Sequence, residues 1–298
     1  MPQWEGKSKG NKTGYRIFVF ICQKLGVLPA YFILIFVAFY YFLFSYSSSK
    51  HIYAYFRRRI GFNPVKSVLK IYQNYFLLGQ SLLDKVIVMA GISNKFTYHF
   101  DGEENLREIV RRGRGGILIS AHVGNWEAAG HLLKRLNTRV NVVMFDGEHQ
   151  QIKDFLNEVT GGRNFNVIVV RDSISHVYAI GEALQKNELV CLHADRFVGS
   201  TKTVSKEFLG APARFPLGPF ALASTFKVPV SFVFAFKESL HHYHFFGSDL
   251  FEFDNSISRQ QYTENLIDTF VAEVEQKVRK YPEQWFNYYN FWEKEHAG

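Results

Sequence analysis

The residues with the clearest chemical potential are His122 and Glu127, which place an imidazole and a carboxylate five positions apart. They follow an apolar run at residues 116–121 and precede a helix-like run, so they are predicted to lie on a strand-to-helix turn. A neutral His can take a proton from an alcohol or amine, and a nearby carboxylate fixes its tautomer and stabilises the imidazolium. The pair predicts a general base for acyl transfer, while a capped helix start with one structural His fits the two residues equally well.

Longer stretches around this pair resemble a known family. Residues 100–106 and 115–127 resemble the late acyltransferases of lipid A biosynthesis, within the larger lysophospholipid acyltransferase group, whose signature is a His, four residues and then an acid. Further similar segments occur in the order typical of that family, at residues 194–196, 208–213, 215–219, 221–223 and 282–286. The resemblance therefore covers nearly the whole chain.

The resemblance implies an enzyme that moves a fatty acyl chain from a thioester to a hydroxyl or amine of a lipid or lipid precursor. The implied donor is acyl carrier protein, with acyl-CoA as the alternative. The implied location is the bacterial inner (cytoplasmic) membrane, with the catalytic domain facing the cytoplasm. In such an enzyme His122 would deprotonate the acceptor and Glu127 would hold His122 in place. No metal and no redox cofactor is implied.

Several neighbours of His122 are expected to bind substrate. The backbone N–H groups around Gly124 and Asn125 are the expected donors to the tetrahedral oxyanion, with the Asn125 side chain or Arg196 assisting. Gly124 also permits a close backbone approach. Asp195 and Arg196 are expected to position the acceptor, and an internal ion pair between them is the structural alternative. Trp126 is expected to border the acyl chain.

Two departures from the family pattern bear on the acceptor. Residues 287–292 replace a tail that is usually rich in His and Arg, and residues 143–149 lack an expected Arg. Both departures remove cations that could meet phosphates, so we expect a less phosphorylated or amino-acid-linked lipid. A polyene-type lipid acceptor and a non-catalytic, membrane-anchored lipid-binding protein stay open. If the acceptor is a bis-phosphorylated disaccharide, its phosphates would need Arg171, Arg196 or Arg214.

The composition favours a membrane-surface protein. The 298 residues include 30 Phe and 16 Tyr, and residues 25–46 contain no charged side chain. About 20 apolar residues suffice for a helix to cross a bilayer. The sequence therefore predicts a polar tail at residues 1–14, a membrane anchor at 15–50 and an acyltransferase domain at 51–298. Basic residues flank the apolar segment on both sides, so its orientation stays open, as does a helix that lies in the interface.

The net charge of +8 and the calculated pI of about 9.3 do not indicate nucleic-acid binding, because no recognition motif accompanies the charge. The clusters at residues 57–59 and 111–114 would suit anionic lipid or an acidic carrier protein, and the second cluster fits equally a solvated helix end.

The two cysteines, Cys22 and Cys191, exclude a disulfide framework, and Cys191 is expected to be buried and inert.

Beyond residue 106 apolar runs alternate with helical patterns, which predicts an α/β fold: a mainly parallel sheet covered by helices, preceded by the membrane-anchoring helix. Long helices are predicted at residues 64–90 and 259–281. Strands are predicted at residues 116–121, 140–145, 167–170, 189–193, 228–236 and 243–246.

The histidines at positions 241, 242 and 244 raise the question of a metal site. In a strand His242 and His244 share one face while His241 points away, and no Cys or carboxylate pattern completes a zinc site, so an exposed or edge strand is expected. His131, His149 and His176 are expected to be ordinary polar or core residues. His193 is a stronger candidate for the active site, because it shares a predicted strand end with Asp195.

Overall fold

A seven-stranded, mainly parallel sheet organises the chain. The computed structural model describes residues 12–89, 91–126, 133–145, 165–170, 174–197 and 201–292. The strand order is β1-β9-β8-β2-β5-β3-β4, in which only β8 and β9 pair in antiparallel fashion. Strands β6 and β7 form a separate two-stranded antiparallel sheet. The strands are β1 (Thr97–Asp101), β2 (Gly116–Ser120), β3 (Val140–Phe145), β4 (Phe165–Val170), β5 (Leu189–His193), β6 (Thr203–Glu207), β7 (Pro212–Pro216), β8 (Val230–Lys237) and β9 (His242–Gly247).

Of the described α-helices, four precede the first strand in the chain, and four lie between the strands or after the last one. Three short turns of other helix types accompany them at Tyr55–Arg59, Leu133–Leu136 and Pro282–Gln284. The α-helices are α1 (Lys12–Leu25), α2 (Val27–Phe44), α3 (Tyr46–Ala54), α4 (Pro64–Met89), α5 (Glu103–Arg111), α6 (Ser175–Gln185), α7 (Gly218–Phe226) and α8 (Arg259–Lys280).

Helices on both faces of the sheet explain why β2 is apolar. β2 lies between β8 and β5, and all of its residues are buried. Ile117 and Ile119 join the largest core cluster, to which α7 and α8 also contribute. Leu118 points to the opposite face and packs with Leu106 and Ile109 of α5. A strand buried on both faces is typical of a parallel sheet with helical layers.

The structure confirms the predicted α/β class. All six predicted strands and both long helices are present, with ends within two residues of the prediction. Strands β1, β6 and β7 were not predicted. The residues of β1 and β6 are all exposed or half-buried, and in β7 the exposed Pro212 and Arg214 alternate with buried positions. All three strands therefore lack the continuous apolar run that marks the central strands.

The predicted anchor at residues 15–50 consists of consecutive helices that pack on the rest of the protein. Gly26, with a φ of 86°, separates α1 from α2, and the expected boundary at residue 50 falls inside α3. Among the described helices, α2 alone is long and apolar enough to cross a membrane. Its buried face, which includes Ala30 and Leu34, packs on α4 at Gly79, where a Cβ would collide with Leu34.

A buried polar network connects α2 with the sheet. Asp84 of α4 forms an ion pair with Lys237 at the end of β8, and both side chains are almost fully buried. Tyr31 of α2 and Tyr243 of β9 donate hydrogen bonds to the same carboxylate. Tyr243 in turn accepts a hydrogen bond from the Asn125 side chain at 3.1 Å. The N-terminal helices are therefore joined to the turn that carries His122.

Candidate active site

The parallel pairing of β2 with β5 brings His122 next to Asp195. Ser120 and His193 are register partners at the carboxyl ends of these strands, and the Ala194 amide donates to the Ser120 carbonyl at 2.9 Å. His122 lies two residues after Ser120 at the end of β2, and Asp195 lies two residues after His193 at the end of β5. Carboxyl ends of neighbouring parallel strands are where α/β proteins place their sites.

Asp195 holds His122 through two hydrogen bonds. Its Oδ1 lies 2.7 Å from His122 Nδ1, and its Oδ2 accepts the His122 backbone N–H at 2.9 Å. Burial alone would raise the pKa of Asp195, but the charge and hydrogen bond of His122, together with the charge of Arg196, lower it below its usual value. An ionised Asp195 accepts the Nδ1 proton and leaves Nε2 of a neutral His122 as the basic nitrogen.

His193 and Trp126 border the basic nitrogen. His193 Nδ1 lies 3.2 Å from His122 Nε2, and the Trp126 ring meets the His193 and His122 rings edge-on, with centroid separations of 4.2 Å and 6.1 Å. Burial, and then the nearby His122 charge, lower the pKa of His193 well below its usual value, so this imidazole is neutral near pH 7. His193 Nδ1 therefore lies in front of the nitrogen of His122 that faces away from Asp195.

The expected oxyanion donors at Gly124 and Asn125 are engaged inside the protein. The Gly124 amide donates to the Gln284 carbonyl and the Asn125 amide to the Ala235 carbonyl, each at 2.8 Å. The buried Asn125 side chain donates to the Ser81 carbonyl at 3.2 Å and to Tyr243. The close approach that Gly124 permits is to Ala235, whose carbonyl a Cβ would strike. In this arrangement these groups shape the turn, and binding an oxyanion would require their bonds to break.

Of the remaining predicted site residues, the structure describes Arg196 and Arg214. Arg196 directly follows Asp195, and its guanidinium donates to the Phe286 carbonyl at 2.7 Å. Arg214 has an exposed side chain on β7, in the two-stranded sheet. Glu127, Arg171, His131 and His149 lie outside the described residues.

The structure also bears on two other sequence features, Cys191 and the arginine cluster at residues 111–114. Burial raises the pKa of Cys191 to about 12, which fits an inert thiol. In the cluster at residues 111–114, Arg111 and Arg112 form ion pairs with Glu108, and Arg114 reaches Glu252 at 3.5 Å. These pairs support the interpretation of a solvated helix end at the close of α5.

Sequence reasoning assigned Asp195 to the acceptor and missed its contact with His122. The signal was present, because both residues follow predicted strand ends, but which strands are neighbours was not known. The network behind Asn125 was also missed. Its trace in the sequence is a charged residue within one apolar segment, Asp84, and another at the end of a second, Lys237.

Comparisons with known proteins identify the family of this site. The chain belongs to the bacterial lipid A biosynthesis acyltransferase family, whose profile matches residues 83–294. It is also 30% identical over 127 residues to the phosphatidylinositol mannoside acyltransferase of Mycobacterium tuberculosis strain H37Rv, and equally to that of strain CDC 1551. The matched segment covers 41% of this chain and 39% of each relative. The family match includes His122 and Asp195.

Proposed function

We propose that this protein transfers a fatty acyl chain from an acyl thioester to a hydroxyl or amine of a membrane lipid or lipid precursor. The observation that carries the proposal is the pair of hydrogen bonds from His122 to Asp195 at the carboxyl ends of β2 and β5. Family membership supports the reaction class. The proposed donor is acyl carrier protein, with acyl-CoA as the alternative.

In the proposed reaction, Nε2 of His122 takes the proton of the acceptor hydroxyl or amine as the acceptor oxygen or nitrogen attacks the thioester carbonyl carbon. Asp195 stabilises the imidazolium that forms, because its carboxylate already accepts the Nδ1 hydrogen. The tetrahedral intermediate then expels the thiolate. His122 returns the proton to that sulfur, which regenerates the neutral base.

Binding of the acceptor must change the contact between His122 and His193. In the structure His193 Nδ1 occupies the position in front of Nε2 that the acceptor's reacting atom needs. The acceptor therefore displaces His193 from this hydrogen bond. Arg196 is the proposed cation for the oxyanion or an acceptor phosphate, because it directly follows Asp195 and carries a permanent positive charge. Its hydrogen bond to the Phe286 carbonyl would have to be shared or broken, as would those of the Gly124 and Asn125 amides. Glu127 stays proposed as a further carboxylate that helps to hold His122 and to stabilise its charge, with Asp195 as the main partner of Nδ1. Trp126 stays proposed as a wall for the acyl chain.

The segment after Phe286 supports an acceptor with few phosphates. Trp292 donates from its indole to the Phe208 carbonyl at 2.8 Å, and Tyr288 donates to Asn74 at 3.1 Å. Residues 287–292 thus pack as an aromatic cluster and carry no cation. The mycobacterial relatives are named for a phosphatidylinositol mannoside. A glycolipid or amino-acid-linked lipid is therefore the proposed acceptor class.

The first prediction concerns acceptor choice. Purified full-length enzyme, supplied with one long-chain acyl carrier protein thioester, should acylate a singly phosphorylated glycolipid or an amino-acid lipid faster than a bis-phosphorylated disaccharide. A missing charge-assisted contact removes about 1.5–3 kcal/mol, so the preference should be about tenfold or more. The same acyl chain on CoA, in the same detergent, is the donor control and should react more slowly. Faster acylation of the bis-phosphorylated acceptor would contradict the proposed class.

We also propose that α2 holds the enzyme on the cytoplasmic side of the inner membrane without crossing the bilayer. One face of α2 is packed on α4, while Phe32, Phe36 and Phe39 are more than half exposed on the outer face. A helix that crossed the bilayer would have to part from α4 and from the Tyr31–Asp84 hydrogen bond. Arg57 and Arg58 are exposed nearby in the sequence and can meet anionic headgroups.

The second prediction tests this membrane contact. Replacing Phe32, Phe36 and Phe39 together by Ser should weaken co-sedimentation with anionic vesicles by about 100-fold or more, because each buried Phe contributes about 1.5–3 kcal/mol. The exposed Tyr178, replaced by Ser, is the matched control and should bind like the wild type. Wild-type binding by the triple variant would show that this face does not enter the membrane.

A further inference from the structure

The exposed edge of the main sheet carries a cluster of histidine and carboxylate side chains that is separate from the site at His122. β1 is the edge strand and pairs in parallel with β9, with His99 opposite His244. Paired residues of neighbouring strands share a face, and so do residues two apart in one strand, so Asp101 lies on the same face as both histidines. The chain thus assembles these three residues from segments more than 140 positions apart.

The three side chains converge on one carboxylate. His99 Nε2 lies 3.0 Å from one oxygen of Asp101, and His244 Nε2 lies 2.8 Å from the other. All three potential ligand atoms lie within 4.8 Å of one another. Two imidazoles and a carboxylate are a ligand set that suits zinc and similar late first-row ions.

The far nitrogen of His244 is held in the way that metal-binding histidines usually are. Its Nδ1 lies 3.1 Å from Glu238, and Glu238 also accepts the Tyr281 hydroxyl. A carboxylate on the distal nitrogen fixes the tautomer that leaves Nε2 free to ligate, and it makes the imidazole a better ligand. The ring of His244 also stacks on Phe246 at 3.9 Å, which restricts its orientation. The ring of His244 is therefore already oriented for metal binding, and the exposed side chains of His99 and Asp101 can rotate towards a shared ion.

We propose that His99, Asp101 and His244 bind a divalent late first-row metal ion such as Zn²⁺. On binding, the hydrogens shared between the two histidines and Asp101 leave as protons to the solvent. The ion takes their place at about 2.0–2.2 Å from each ligand, and water completes its coordination. Such an ion joins the edge strand β1 to β9 and stabilises the folded chain by mass action. The sequence pointed to the histidines of β9 but not to a carboxylate that completes their site, because Asp101 lies on β1, a strand that was not predicted.

The third prediction is tested by titrating full-length protein, purified in detergent without a polyhistidine tag, with Zn²⁺ in a calorimeter and with Co²⁺ in an absorption spectrometer. We expect one saturable site, visible d–d bands with Co²⁺, and a higher melting temperature with Zn²⁺. His99→Asn and Asp101→Asn should each remove the saturable site. Glu238→Gln should weaken Zn²⁺ binding by about 10–100-fold, because it alters only the group behind His244.

His242→Asn is the matched control. His242 lies on the same strand and face as His244, but its Nδ1 contacts Thr97 at 2.8 Å instead of Asp101. This variant should bind Zn²⁺ and Co²⁺ like the wild type. Absence of saturable binding to the wild type, or undiminished binding by both His99→Asn and Asp101→Asn, would overturn the proposed site. None of these measurements depends on acyltransferase activity.

Discussion

His122→Ala is expected to slow thioester consumption in the presence of acceptor by at least about 10²–10⁴-fold, because it removes the proposed general base. The loss should appear in kcat, since proton removal from the acceptor belongs to the transition state and not to substrate binding. The measurement is single-turnover consumption of acyl carrier protein thioester by wild type and variant at equal enzyme concentration.

His242→Ala is the control for the His122 variant, because it removes an imidazole from the same sheet outside the site. It should turn over like the wild type, and both variants should unfold near the wild-type temperature. A His122→Ala enzyme that keeps near-normal turnover would remove His122 from the proposed mechanism.

Asp195→Asn is expected to have the second large effect, a loss of about 10³–10⁴-fold in kcat. The neutral amide can no longer stabilise the imidazolium, and it can donate to Nδ1, which would favour the wrong tautomer of His122. Because the pKa of Asp195 lies below its usual value, the carboxylate stays ionised across the neutral range. Its titration should therefore not appear in the pH–rate profile between about pH 5 and 8.

Glu127→Gln is compared with Asp195→Asn in the same single-turnover assay, to show which carboxylate orients His122. Nδ1 of His122 carries a single hydrogen, and Asp195 accepts it at 2.7 Å. We therefore expect Glu127→Gln to lose less activity than Asp195→Asn. The opposite order would return the orienting role to Glu127 and leave Asp195 with a structural one.

The sequence predicted much of the fold because the central strands are buried on both faces. Such strands require continuous apolar runs, and those runs, as at Ile117–Ile119, stand out from the helical patterns around them. The same reasoning could not find β1, whose exposed polar residues such as His99 interrupt its hydrophobic pattern. An edge strand is recognised by its hydrogen bonds, and these are invisible in the sequence.

The sequence was enough to select individual residues of the candidate site, but it did not show which of these residues contact each other. His122 could be chosen from its residue type and its place on a turn, whereas its contact with Asp195 depends on β2 and β5 being neighbours. Strand order is set by how the helices between the strands pack, which no short spacing records. For the same reason the sequence could not show that the amide of Asn125 bonds to Ala235 of β8.

The central claim is that His122 and Asp195 act as one catalytic unit, and a double-mutant cycle tests it most directly. Single-turnover rates of thioester consumption would be compared for wild type, His122→Ala, Asp195→Ala and the double variant. If Asp195 works only through His122, the double variant should be no slower than His122→Ala alone. A double variant that is slower by the full product of the two single losses would show that the residues act independently, which contradicts the proposed mechanism.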